Sequence, residues 1–320
     1  MEKKRLGNTD LHVAPIAFGG NVFGWTADKK TSFALLDDFT AKDFNLVDTA
    51  DVYSKWAPGN LGGESETMIG EWMHLRKNRS NIIIATKVGG DMGDDKKGLT
   101  KKYILEAIDS SLTRLKTDYV DLYQTHFDDE DTPVEETLEA YDILVKAGKV
   151  KWIGTSNMSP DRIKESLTAS TKNNFPAYQT LQPHYNLYER KKYEAEYEKL
   201  CLDNNIGVLN YFALAGGFLT GKYRTEADFE KSARGDQMIK FMDDRGFDIL
   251  DELDLISLEH NTTPATVAIA WLMLRKSITA PIASATSLAQ LDALLSSVEL
   301  TLSPEEIKRL DEASDYTNPD

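Results

Sequence analysis

Residues 45–53 read NLVDTADVY. Leu46 and Val47 look like the end of a buried strand, and the apolar pattern stops at a carboxylate, Asp48. Tyr53 follows five residues later, in a polar, glycine-bearing segment that runs to Gly63. A short apolar run that ends on a polar residue and leads into a helix-period segment reads as one strand-helix unit of a parallel sheet. The same unit recurs along the chain. PIAFG (15–19) precedes NLVDT (45–49), and NIIIATK (81–87), YVDLYQTH (119–126) and KWIGTSN (151–157) follow it. YQTLQPH (178–184), IGVLNYF (206–212) and ITAPIAS (278–284) bring the strands to eight.

The segments between them have amphipathic periodicity and ordinary helix start signals. SPDRIKESL opens with Ser159 as N-cap and Pro160 at the first helical position. TPVEETLEAYDILVKAGK offers Thr132 before Pro133, an apolar stripe at Val134, Leu138, Tyr141, Leu144 and Val145, and Gly148 at its end. The strand starts at 206 and 278 lie about twice as far apart as the others. A charged helical insertion, Tyr223 to Asp251, is expected there, between strands seven and eight. Eight alternating units predict an α/β chain folded as a closed (β/α)8 TIM barrel, one domain over 1–320. The rival, an open doubly wound sheet, would place G-x-G-x-x-G after the first strand, and AFGGNVFG lacks that spacing.

The 320 residues carry 37 basic and 52 acidic side chains, a net charge of −15. Such an acidic surface argues against nucleic acid and anionic membranes as partners, though not against a small anion held in a local basic pocket. One cysteine, Cys201, rules out an intramolecular disulfide framework and fits a reducing compartment. No apolar run reaches the ~18 residues of a membrane-spanning helix, and MEKKRLGNTDLHV has no apolar leader. The expected location is cytoplasmic.

In a (β/α)8 barrel, chemistry sits at the C-terminal ends of the strands. Those ends carry Asp48 with Tyr53 just beyond, Lys87, His126, Ser156 and Asn157, Gln182 and Tyr211. Taken singly, Asp48 reads equally well as a turn carboxylate, Lys87 as a lysine reaching for solvent, and His126 as a structural histidine. Their convergence on one rim carries the argument. A phenol is a poor proton donor at neutral pH, by about 3 pH units or ~4 kcal/mol. A nearby ammonium favours the phenolate, and a carboxylate paired to the lysine holds it charged and oriented. A neutral histidine can donate a hydrogen bond to a carbonyl oxygen where negative charge develops. Together these groups suit a carbonyl receiving a hydride.

The sequence resembles the aldo-keto reductase superfamily over nearly its whole length. The resemblance rests on FNLVDTADVY, IIIATKVGG, DYVDLYQTHFDD, VKWIGTSNMSP, TLQPHYNLYER and GGFLTGKY. RLGNTDLHVAPIAFGG is similar to the N-terminal β-hairpin that closes the barrel floor in that family, followed by strand one. Trp25 and the long loop around KWAPGNLGGESE look closer to the bacterial, potassium-channel-β-like branch. The resemblance implies an NAD(P)H-dependent reductase of a small aldehyde or ketone, or an alcohol dehydrogenase in reverse. Tyr53 would be the general acid, Lys87 its modulator, Asp48 the lysine's partner and His126 the donor that orients the carbonyl. The nicotinamide would stack on Tyr211, with its amide held by Ser156, Asn157 and Gln182 and with Gly20 nearby. LAGGFLTGKYR would fold over the pyrophosphate through Leu214, Gly216 and Lys222, and Arg224 adds positive charge.

The adenosine end departs from the family pattern. PIASATSLAQLDALLSS offers Ser284, Thr286 and Gln290, but no basic residue lies between Lys276 and Lys308. Hydroxyls and a helix N-terminus can bind a phosphate, so NADP(H) is favoured while NAD(H) fits as well. Trp25, Trp56 and Phe127 would line the substrate pocket. The acidic run at 128–132 reads more readily as a solvated loop than as a substrate determinant. A metal-dependent hydrolase would need more histidines at strand ends, and of the five only His184 joins His126 there; no metal is expected. The alternative is a nicotinamide-binding subunit that senses redox state for a partner with little turnover. No heptad or apolar surface segment specifies an oligomer.

Overall fold

The computed structural model describes residues 1–317; the single-domain reading over 1–320 also takes in three residues outside them. The chain begins with an antiparallel hairpin, β1 (Lys4–Arg5) against β2 (His12–Val13). Eight parallel strands follow: β3 (Ala17–Gly19), β4 (Leu46–Asp48), β5 (Ile83–Val88), β6 (Val120–Thr125), β7 (Val150–Ser156), β8 (Thr180–Gln182), β9 (Gly207–Val208) and β10 (Ile282–Ala283). Their order in the sheet is β10-β3-β4-β5-β6-β7-β8-β9. Backbone bonds also join β9 to the approach of β10. Thr279 N–H donates to Val208 O (3.0 Å), and Ile282 N–H donates to Asn210 O (2.9 Å). The sheet therefore curls back on itself, as the eight-unit rhythm predicts.

Side-chain alternation along each strand divides the core in two. Leu46, Ile83, Ala85 and Leu122 point inward, where they pack with Leu6, Leu11 and Val13 of the hairpin. Val47, Ile84, Val88 and Tyr123 point outward, against the helices. Continuing the inward series by one step places Asp48 after Leu46, Lys87 after Ala85, Gln124 after Leu122 and Gln182 after Thr180. The top layer of the barrel interior is therefore polar because of strand periodicity alone.

The helices are α1 (Lys29–Ala41), α2 (Glu64–Arg76), α3 (Lys101–Leu115), α4 (Val134–Lys146), α5 (Pro160–Asn173), α6 (Glu198–Asn204), α7 (Asp244–Glu259), α8 (Pro264–Met273), α9 (Leu288–Leu295) and α10 (Pro304–Ala313). Ser159 caps α5 as expected, accepting from Arg162 N–H. Thr132 does not cap α4. Its hydroxyl donates to Asp129 at 2.7 Å, and Pro133 occupies the cap position without a side-chain bond. In α8, residues Ala265 to Leu272 are all buried, including Trp271, whose indole N–H donates to Asp311 (2.9 Å). Each large side chain there contributes ~1.5–3 kcal/mol by burial. The expected insertion over 223–251 holds two 3-10 turns, Glu226–Lys231 and Gly235–Phe241, and the start of α7. Among the described residues, no helix is long and apolar enough to cross a membrane.

Candidate active site

The polar top layer of the barrel converges around one lysine. Lys87 Nζ donates to Asp48 Oδ2 (2.7 Å), to Thr49 O (2.7 Å) and to Tyr53 Oη (3.0 Å). Neither Lys87 nor Asp48 is more than 1% exposed. Asp48 Oδ1 accepts from Gln182 Nε2 (2.8 Å) and, more weakly, from Gln124 Nε2 (3.4 Å). A buried charge is tolerable only when paired and hydrogen-bonded, and this pair meets both conditions. Register places the partners: Asp48 lies opposite Ala85, and Lys87 opposite Gln124.

Burial works against the Lys87 ammonium, but Asp48 and Tyr53 outweigh it and hold its pKa above the ordinary lysine value. Tyr53 differs from the expectation built on a lysine neighbour alone. Burial pushes the phenol above its ordinary 10, and Lys87 offsets only part of that rise. The resting hydroxyl is therefore firmly protonated. His126 follows β6, tied by its backbone N–H to Val88 O (2.8 Å). Burial and then the Lys87 charge drive its pKa well below 6.5, so the ring is neutral. Its Nδ1 has no hydrogen-bond partner among the described residues.

An aromatic wall surrounds the phenol. Trp56 packs edge-on to both Tyr53 (5.8 Å between centroids) and Trp25 (5.7 Å). His126 lies 5.8 Å from Tyr53 and stacks on Phe127 at 4.5 Å. Trp56 and Phe127 are each nearly half exposed. Trp25, Trp56 and Phe127 thus belong to one run of ring contacts, Trp25–Trp56–Tyr53–His126–Phe127.

The residues expected along a dinucleotide occupy an arc on the same rim. Ser156 Oγ donates to Gln182 O (2.8 Å), and Asn157 Nδ2 donates to His126 O (2.9 Å). Asn157 Oδ1 accepts from Tyr211 Oη (3.0 Å). Gln182 spends its amide N–H on Asp48, which sequence reasoning did not foresee. Tyr211 stacks on His184 at 5.2 Å. Gly20 is buried near β4, where an added Cβ would lie 3.1 Å from Asp48 O. Leu214 precedes a turn in which Ala215, Gly216 and Gly217 all have positive φ. Thr286 N–H and Oγ1 both donate to Gln290 Oε1 (2.8 and 3.0 Å), just before α9, which Ser287 caps.

The basic groups sort differently from the sequence reading. Arg224 is tied to Asp254 (2.6 Å) and is not free positive charge. Lys222 has no carboxylate within 4 Å among the described residues. The insertion brings a further cation to the rim. Arg234, partly exposed, lies over Trp25 (5.0 Å) and Phe212 (5.9 Å) without a carboxylate partner among the described residues. Burial lowers its pKa. The Asn21 amide bridges it to the rim, accepting from Arg234 (2.5 Å) and donating to Ser284 Oγ (2.6 Å). Arg234 lies 48 residues ahead of the strand it approaches, which begins at Ile282, so no local sequence signal could have marked it.

A sequence model of the Aldo/keto reductase family matches residues 15–315. The "Uncharacterized oxidoreductase YrpG" of Bacillus subtilis (strain 168) is 32% identical, over 98% of this chain and 95% of its own. The "Probable voltage-gated potassium channel subunit beta" of Arabidopsis thaliana is also 32% identical, over 94% and 92% respectively. "Protein tas" of Escherichia coli (strain K12) is 29% identical, over 100% and 99%. With the family match spanning almost the whole barrel, the chain belongs to the aldo/keto reductase family of oxidoreductases.

Proposed function

We propose that the protein reduces an aldehyde or ketone to an alcohol, or runs the reverse reaction, using Tyr53 as proton donor and a nicotinamide dinucleotide as hydride source. The observation that carries this reading is the Tyr53–Lys87–Asp48 chain, with links of 3.0 and 2.7 Å, set beside a neutral His126 beneath an aromatic opening. Its donor set suits the dinucleotide. Ser156, Asn157 and Gln182 would hold the carboxamide and Tyr211 would back the ring. The Gly216 turn with Leu214, Lys222 and Arg234 would take the phosphates. Ser284, Thr286 and Gln290 would hold the adenosine end, with Gly20 beneath. When bound, the group supplies a hydride to the carbonyl carbon.

The chain's own residues do the rest. The His126 ring N–H donates to the carbonyl oxygen and orients it. As charge builds on that oxygen, Tyr53 Oη passes its proton across, and the Lys87 ammonium stabilises the phenolate left behind. Asp48 keeps Lys87 charged and aimed without moving a proton itself. Solvent then reprotonates Tyr53. Trp25, Trp56 and Phe127 shield the reacting atoms and would favour a flat or apolar small carbonyl substrate. Arg234, without a carboxylate partner among the described residues and joined through Asn21 to Ser284 at the adenosine end, supports NADP(H) over NAD(H), since a 2′-phosphate adds charge that an acidic chain must balance locally.

The likeness to probable potassium channel β subunits favours a second reading, in which the same site holds a dinucleotide and reports redox state to a partner with little turnover. One experiment separates the two. Purified protein is mixed with NADPH or NADH, and nicotinamide absorbance and fluorescence are followed as a reactive aromatic aldehyde is added. Oxidation with NADPH faster than with NADH supports the reductase and the cofactor assignment. Binding with no oxidation across a panel of carbonyls moves the reading to the sensor, and failure to bind either dinucleotide ends both.

A further inference from the structure

Asp51 is a second buried carboxyl behind the site, and the chemistry above does not use it. It stands on the loop that joins Asp48 to Tyr53, 2% exposed, and neither side-chain oxygen has a hydrogen-bond partner among the described residues. Its backbone N–H donates to Lys87 O (3.3 Å), and the next turn closes through Tyr53 N–H to Ala50 O (3.3 Å). One short loop therefore carries both Asp51 and Tyr53 and is pinned to the catalytic lysine's own backbone.

Among the described residues, the surroundings leave no cation for Asp51. From α2 it faces Glu66, which is fully buried and already takes Thr86 Oγ1 (2.5 Å) and Arg114 Nε (2.7 Å). From α3 it faces Arg114, committed to Glu66, and Tyr103. From β6 comes Tyr123, whose hydroxyl also lacks a partner. From β5 comes Lys87, engaged with Asp48, Thr49 O and Tyr53. Two carboxyls and one guanidinium share this pocket, and the guanidinium belongs to Glu66. Burial, then Glu66, pushes the Asp51 carboxyl up to about 8, against the pull of Val52 N–H, Arg114 and Lys87.

We propose that Asp51 is a positioning residue for the proton transfer: as a neutral carboxylic acid it lets the loop lie flat against the Glu66–Arg114 pocket, and its ionisation unseats Tyr53 from Lys87. The role rests on the reductase reading. It makes the upper pH limit of activity a property of Asp51 and not of the Tyr53 phenol. A bare carboxylate at this position must draw in water or move, and Tyr53, two residues along, moves with it.

Asp51→Asn mimics the neutral acid. Wild-type kcat for carbonyl reduction should fall about tenfold per pH unit above about 8. Asp51→Asn should keep near-wild-type kcat at neutral pH and hold it well past that point. Glu66→Gln removes a charge that raises the Asp51 pKa, so it should move the wild-type limb to lower pH; this variant also serves if Asp51→Asn fails to fold. A second readout needs no activity. The fold binds the Asp51 proton more tightly than the unfolded chain, whose aspartate has its ordinary value of 3.8. Its contribution is complete below that value and is lost as pH rises towards about 8. The melting temperature of the wild type should therefore fall relative to Asp51→Asn between about pH 4 and 8 and run parallel above. Superimposable alkaline limbs together with parallel melting curves throughout would overturn the proposal. If no carbonyl is reduced at any pH, the reductase reading fails, and the melting comparison still decides whether Asp51 is held neutral.

Discussion

At the scale of single residues, Lys87 and Asp48 depend on each other. Each is buried so completely that removing one strands the other in a medium that cannot solvate it. Lys87→Met should cost ~3–5 kcal/mol of stability, because Asp48 is left buried without its cation. Adding Asp48→Asn should recover part of that loss, since an amide can still pair with Gln182; urea unfolding of the two variants tests the coupling. In the proposed reaction Tyr53 acts through its hydroxyl. Tyr53→Phe keeps the ring that packs against Trp56, so melting and dinucleotide affinity should stay near wild type while kcat for reduction falls ~10²-fold or more. Near-normal turnover in that variant would remove Tyr53 from the proton path.

At the scale of elements, the insertion between β9 and β10 matters most. Its two 3-10 turns carry Arg234 back over the mouth, where Trp25, Phe212 and Asn21 hold it. Arg224 sits earlier in the same insertion but is neutralised by Asp254. The two arginines therefore predict opposite outcomes. Arg234→Gln should weaken dinucleotide binding by roughly 10- to 100-fold, the worth of a charge-assisted hydrogen bond, and should flatten the dependence of affinity on salt. Arg224→Gln should leave affinity within about twofold of wild type, since it removes only a surface ion pair. Fluorescence titrations at two ionic strengths check both, and equal effects from the two variants would dissolve the distinction.

At the scale of the whole molecule, the barrel works as a rigid frame closed at one end. The hairpin turn seals the floor at Gly7, whose φ is +58°, and a Cβ there would lie 2.3 Å from Gln179 O. Neither the left-handed backbone nor the neighbouring backbone oxygen can yield cheaply. Gly7→Ala should cost ~2–4 kcal/mol, seen as a lower unfolding midpoint. Because the floor and the mouth are at opposite ends of the strands, dinucleotide affinity below the transition should be unchanged.

Strand periodicity and strand-end chemistry are local properties, so the chain itself determined the number of strands, the inward face of each, and the group at the tip of each inward series. Asp48, Lys87, His126 and Gln182 were legible for that reason: each follows an apolar run within a few residues. Helix starts such as Ser159 were legible too, whereas Thr132 does not cap its helix because Asp129, only three residues earlier, takes its hydroxyl. Tertiary structure alone decided everything that depends on what packs behind a residue. It made Gln182 a brace for Asp48 and brought Arg234 to the rim, over Trp25 and Phe212. It also let burial outweigh the lysine in setting the Tyr53 pKa, and it left Asp51 without a cation. Solvation and pairing depend on distance in space, and in a barrel the groups that meet at the mouth come from strands far apart in the chain.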